Sequence, residues 1–164
     1  MTGRARVFGD DINTDYIITS RRKRESLDPQ VLRQYLFEEI NPAFADSVEP
    51  GDLIVAGKNF GCGSAMEVAV TAVLGAGIRA VLARSFSRTY YRNAVNNGLL
   101  PVICETGGIR EGDQIAIDRE GGMAVRNLTT GETIEAGGFP KIMLDILDAG
   151  GLVPYFRRHG DFKI

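Results

Sequence analysis

The residues best suited to chemistry lie in one stretch, Gly57-Lys58-Asn59-Phe60-Gly61-Cys62-Gly63-Ser64-Ala65-Met66-Glu67. The apolar run Leu53-Ile54-Val55-Ala56 leads into it and a second apolar run follows, so it reads as a buried strand, a glycine-rich turn and a helix from about Ala65 to Gly75. Glycines let a backbone approach a ligand closely, and a helix N-terminus favours negative charge. That combination suits an anionic substrate, with Gly63, Ser64, Ala65 and Met66 at the contact point. Two nucleotide-binding patterns fail on detail. A phosphate loop needs Gly-Lys-Ser/Thr, but no lysine separates Gly63 from Ser64. A dinucleotide fingerprint needs Gly or Ala where Met66 stands, and an acid about 20 residues on, where Arg84 stands. Ser64-Ala65-Met66-Glu67 also fits a capping box, so Ser64 reads either as a helix cap or as a substrate contact. The two roles are compatible.

Outside this stretch the chemical inventory is thin. The chain has two cysteines, Cys62 and Cys104, and one histidine, His159. A Ser-His-Asp triad within the chain would have to use His159. Two cysteines cannot supply a four-cysteine zinc or iron–sulfur site. Demanding chemistry must therefore draw its metal or its acid–base partners from elsewhere. Cys62 reads as a small packed residue bordering the glycine turn.

A second candidate is the basic run Arg21-Arg22-Lys23-Arg24, inside the polar segment Thr19 to Ser26. Without periodicity, residues 19–27 are expected to form a mobile surface loop. The arginines read as a solvated face, a localisation or nucleic-acid patch, or a clamp for an anionic substrate. The net charge of -2 leaves no whole-protein field for nucleic acid. There is no membrane-length apolar run and no apolar signal region near Met1, so the chain is expected to be cytoplasmic. Asp15, in the turn-rich Gly9-Asp10-Asp11-Ile12-Asn13-Thr14-Asp15, reads as a turn-capping residue or a site residue.

The elements that must position these groups follow from pattern. Arg4 to Phe8, Leu53 to Ala56, Arg79 to Phe86 and Leu99 to Cys104 read as strands. Asp28-Pro29 opens a helix with Val31, Leu32, Tyr35, Leu36 and Ile40 as its apolar stripe. Ser87 to Asn97 reads as a helix stopped by Gly98. Beyond Gly107-Gly108 come hairpin segments at 113–117 and 123–125, around Gly121-Gly122, with a further turn at Thr130-Gly131. Phe139 to Asp148 makes the last expected helix, stopped by Gly150-Gly151. With 164 residues, 44% of them hydrophobic, the chain is expected to form one α/β domain, 1–164, with a β-rich C-terminal part.

Asn59 to Ser64 resembles the signature of the small subunits of isopropylmalate isomerase and homoaconitase, and of the mobile domain of aconitase. So do Gly9 to Asp15, Val55 to Lys58, and Ser85-Phe86 through Tyr91-Arg92-Asn93-Ala94-Val95-Asn96. The matches keep family order and spacing over about residues 4–104. The resemblance implies a swivelling β/β/α domain that closes over a large subunit carrying a four-iron four-sulfur cluster, with no cofactor in this chain. It implies a hydro-lyase acting on a 2- or 3-hydroxy acid, with Ser64 as the base and Asp15 organising the site. Arg24 falls where relatives carry a substrate-facing arginine. The loop needs one extra residue to align, so Arg21 or Arg22 can also take that part. Arg92 and Asn93, on a helix with Tyr90, Tyr91 and Asn96, are expected to brace the glycine turn.

One departure stands out. Relatives continue Gly-Ser-Ser-Arg-Glu, whereas this chain has Gly63-Ser64-Ala65-Met66-Glu67. The missing arginine points to an altered substrate, such as a substituted malate, or to another cation in its place. A non-catalytic binding or regulatory module that keeps the fold is the alternative. The reading also leaves room for a homo-oligomer of the isolated chain.

Overall fold

A computed structural model describes residues 1–119 and 122–162. Strand β1 (Thr2–Val7) is followed by short helices α1 (Thr14–Ile17), α2 (Ser20–Glu25) and α3 (Pro29–Leu32). A 3-10 turn (Arg33–Tyr35) and α4 (Phe44–Ser47) precede β2 (Leu53–Ala56). Then come α5 (Val68–Gly75), β3 (Ala80–Ala83), α6 (Arg88–Asn97) and β4 (Leu100–Ile103). Strands β5 (Gln114–Asp118), β6 (Ala124–Asn127) and β7 (Thr133–Glu135) and helices α7 (Lys141–Asp148) and α8 (Leu152–His159) complete the order.

The strands form one sheet in the order β4-β3-β2-β1-β5-β6-β7. Its two halves differ in direction, and β1 belongs to both. Ala5 to Val7 pair parallel with Leu53 to Val55, while Thr2 to Arg4 pair antiparallel with Gln114 to Ala116. The β2 and β3 strands are buried along their whole length, as continuous apolar strands covered on both faces should be. Ile54, Ala56, Val81 and Ala83 enter a core with α1, α3, α4 and α5. Leu53, Val55, Ala80 and Leu82 enter another with α6, α7, α8 and the hairpins.

The expected α/β order with terminal hairpins is observed; Gly121, part of the expected hairpin turn, lies outside the described residues. Four local expectations are corrected. Residues 20–25 are helical rather than an unstructured loop. The helix from Pro29 stops at Leu32 and passes into the 3-10 turn; beyond it Phe37 takes φ +56° with its ring buried, and Val31 and Ile40 of the expected stripe are exposed. Helix α5 starts at Val68 rather than Ala65. An unexpected helix, α8, follows Gly150-Gly151, with Pro154 in its first turn, where no backbone N–H is required.

Candidate functional site

The carboxyl ends of β1, β2 and β3 lead into loops that lie side by side, the usual location of ligands in open parallel sheets. From the β1 side, the Asp11 N–H donates to the Lys58 carbonyl (2.8 Å). The Asp10 carboxylate accepts from the Lys58 N–H (2.7 Å), and that of Asp11 from the Asn59 amide (2.8 Å). Gly61 N–H donates to Ile12 O and Thr14 N–H to Cys62 O, both at 2.8 Å. From the β3 side, Ser85 accepts from the Asn59 N–H through Oγ (2.8 Å) and from the Phe60 N–H through its carbonyl (3.0 Å). Ser87 donates its hydroxyl to Gly61 O (2.6 Å) while capping α6.

Two glycines are required by contact. Gly61 takes φ +74° with the Tyr90 ring directly against its Cα, and Gly63 takes φ +93° against the Asn13 amide. A methyl group at either would overlap its neighbour, besides straining the backbone. Tyr90 is fully buried, packs edge-on to Phe60 at 5.1 Å, and donates its hydroxyl to Ala69 O (3.3 Å). It therefore braces the turn, the part expected of Arg92 and Asn93. Arg92, in contrast, is exposed on α6.

These braces present Gly63, Ser64 and Ala65 to solvent. The Ser64 hydroxyl makes no hydrogen bond among the described residues, and its carbonyl accepts one from Thr14 Oγ1 (2.9 Å). The capping-box expectation fails: Glu67 stands at the N-cap of α5, without a side-chain cap bond. Ser64 is thus held by its backbone and leaves its hydroxyl uncommitted.

Met66 departs from the expectation of a substrate contact. It is only 4% exposed and packs into the core beneath α5. The apolar side chain at this position fills the core and lies off the loop surface.

Asp15 is half-buried, with its N–H held by the Asn13 side chain (2.9 Å). Its carboxylate accepts from the Ser20 N–H (3.0 Å), which fastens the start of α2 beside the glycine turn. The capping reading therefore describes part of what Asp15 does. The basic run divides on α2. Arg22 is committed: it bonds the Glu38 carboxylate with Nε (3.0 Å) and Nη2 (2.9 Å), reaches Glu25 (2.9 Å), and stacks 3.6 Å above the Tyr35 ring. Those bonds raise the guanidinium further above its ordinary value and hold the Glu38 carboxyl below the carboxylate range. Arg22 is thus engaged within the chain, unlike the free substrate-facing arginine expected of it. Arg21 is exposed and lies 3.9 Å from Glu25. Arg24 is exposed and makes no ion pair among the described residues. Glu38, the anchor, gave no signal in sequence because it lies 16 residues from Arg22.

Cys62 is half-buried, and burial, followed by the Asp11 carboxylate, pushes its thiol up. That environment disfavours a thiolate. Cys104 is buried in the other core, and burial pushes it up to about 11. Among the described residues, no group of three or more His, Cys, Asp or Glu side chains could hold a metal ion. No described helix is long and apolar enough to cross a membrane.

Residues 29–107 match the Aconitase C-terminal domain family. Over its full length the chain is 46% identical to the 3-isopropylmalate dehydratase small subunit 2 of Archaeoglobus fulgidus, covering 99% of that protein. The chain belongs to the family of 3-isopropylmalate dehydratase small subunits. It is also 49% identical to small subunit 1 of Methanopyrus kandleri, over 96% of this chain and 93% of that protein. The isopropylmalate/citramalate isomerase small subunit of Methanocaldococcus jannaschii is 42% identical over 95% of this chain and 93% of that protein. A crystal structure of 3-isopropylmalate dehydratase from the same organism matches with a TM-score of 0.92 at 42% identity, covering 97% of this chain and 94% of that one. The family's small-subunit fold therefore extends over the C-terminal hairpins and helices as well as the glycine turn.

Proposed function

We propose that this chain is the small subunit of a two-subunit hydro-lyase that dehydrates, and rehydrates, a hydroxy dicarboxylic acid of the isopropylmalate or citramalate class. The whole chain, 1–164, moves as one swivelling body and brings the Ser64 loop down over a site on a large subunit. The observation that carries this reading is the presentation of Ser64: exposed, with an uncommitted hydroxyl, at the carboxyl end of the parallel strands. The full-length similarity to dehydratase and isomerase small subunits supplies the reaction class.

The donor set in this chain does not fit an iron–sulfur cluster: Cys62 lies in the loop and Cys104 in the opposite core. We assign the four-iron four-sulfur cluster to the large subunit. On this chain, Ser64 Oγ, as alkoxide, takes the proton from the carbon beside a carboxylate. The electron pair of that C–H bond becomes the C=C bond, and the hydroxyl on the neighbouring carbon departs as water, taking a second proton from an acid that we assign to the large subunit. A serine of ordinary acidity cannot act as base near neutral pH, so the oxyanion needs donors or cations around it. Since α5 begins only at Val68, we assign the rest of that stabilisation to substrate and partner on closure.

In this reading Arg24, exposed on α2 with no ion pair among the described residues, holds a substrate carboxylate by paired hydrogen bonds, with Arg21 beside it. Asp15 positions that helix against the loop, while Gly63 and Ala65 form the surface next to Ser64. With Met66 buried in the core, the loop offers no cation where the family resemblance implies an arginine. We therefore expect alkyl-substituted malates to be preferred over tricarboxylic acids.

The test is Ser64→Ala in the enzyme assembled with its large subunit, assayed on 3-isopropylmalate, citramalate and homocitrate. Turnover should vanish while assembly and melting temperature remain near those of the unaltered protein, since Ser64 makes no side-chain bond. Retained turnover would refute the role of Ser64, and homocitrate as the preferred substrate would refute the substrate class.

A further inference from the structure

We infer that Thr14 is a positioning residue for Ser64: its hydroxyl fixes the backbone of the loop that carries the base. The inference rests on the reading of Ser64 above.

Thr14 is the first residue of α1 and is 2% exposed. It touches the loop at two points. Its N–H donates to Cys62 O (2.8 Å) and its Oγ1 donates to Ser64 O (2.9 Å). A threonine hydroxyl has one proton to give. The alternative acceptor, Asn13 Oδ1, is farther at 3.4 Å and already accepts from the Asp15 N–H at 2.9 Å. The proton therefore belongs on the Ser64 carbonyl.

That bond has no substitute. Among the described residues it is the single hydrogen bond made by Gly63, Ser64 or Ala65, all of which are exposed. Upstream the loop is pinned at Cys62, and downstream it is pinned by the buried side chain of Met66. Between those points the Asn13 amide packs on Gly63, and Thr14 makes the one hydrogen bond that fixes the Ser64 backbone among the described residues. Thr14 is itself immobilised, because α1 drives Ile17 into the core with no exposed surface, and Ile18 follows it. The chain thus runs from a rigid core, through one hydroxyl, to the base. A misplaced reacting group costs rate far more than it costs folding.

The experiment compares Thr14→Val, Thr14→Ser and Ser64→Ala, each assembled with the large subunit and assayed on 3-isopropylmalate and citramalate. Valine keeps the shape and the N–H bond to Cys62 and removes only the hydroxyl. Its kcat should fall about 10- to 100-fold with KM little changed, as expected when orientation alone is lost. Thr14→Ser should recover most of that loss. Should the valine variant not assemble, Thr14→Ala replaces it, judged against Thr14→Ser by the same kcat criterion. Normal kcat without the hydroxyl, alongside an inactive Ser64→Ala enzyme, would overturn the role of Thr14 alone. A loss that serine does not rescue would also overturn it, because packing would then be the cause. An active Ser64→Ala enzyme would instead overturn the reading of Ser64.

Discussion

Met66 separates a core role from a substrate role most sharply. Its side chain is 4% exposed and belongs to the core that includes Ile17, Phe60 and Val70. Met66→Ala removes a methylene, the thioether sulfur and the terminal methyl. At ~0.8 kcal/mol for each buried CH2-sized group, the transfer loss is about 2 kcal/mol. A cavity adds to that, and large-to-small substitutions of this kind cost about 2–5 kcal/mol. Met66 sits at the rim, between exposed Ala65 and exposed Glu67, so the loop can settle partly into the gap. The lower half of the range follows, about 2–3 kcal/mol. For a domain of this size that corresponds to a fall in Tm of about 4–12 °C. Met66→Leu conserves volume and should cost less than about 1.5 kcal/mol. The assay is thermal or urea unfolding of the isolated chain, with substrate preference measured in the assembled enzyme. Preference should be unchanged in Met66→Leu. A Met66→Ala protein with unaltered Tm and an altered ratio of kcat/KM between isopropylmalate and citramalate would refute the core placement.

Two further outcomes follow from the ion pairs. Glu38→Gln should loosen α2, which buries no side chain and is held by Arg22 and the Asp15 cap. Hydrogen exchange over residues 20–26 should quicken and trypsin should cut at Arg21 to Arg24 sooner, with little change in Tm; unchanged protection would count against the Arg22–Glu38 anchor. Asp52 is buried at the foot of β2, where burial opposes its charge but bonds from Arg4, the Glu49 N–H and Arg6 outweigh that and hold its carboxyl low. A depressed folded-state value means that this stabilisation is complete above the unfolded value near pH 3.9 and fades as pH falls through the folded value. Asp52→Asn should therefore lower stability at pH 7 and flatten the acid limb; an acid limb as steep as in the unaltered chain would refute this.

What the sequence could disclose was set by the distance over which each constraint acts. Strands β2 and β3 are bounded by local turn residues and carry an unbroken apolar pattern, so they were legible. Helix α6 was legible for the same reason, with Ser87 at one end and Gly98, at φ +82°, at the other. The glycine turn was legible as a turn. Its direction was not, because that depends on which of Ser64, Met66 and Glu67 the core takes. A capping box and a buried methionine compete for the same few residues. About 1 kcal/mol for a cap is outweighed by the burial of a large apolar side chain, so α5 begins late and Ser64 is left outside it. The basic run failed for the opposite reason. Its order comes from Glu38 and Tyr35, beyond any local window, and from a cap by Asp15 five residues before Ser20. Arg22 takes the Glu38 anchor alone, while Arg21 lies only at the edge of ion-pair range from Glu25. Four adjacent cations that look equivalent in sequence thus differ in the fold: Arg22 holds the helix in place, and Arg24 stays exposed with no ion pair among the described residues.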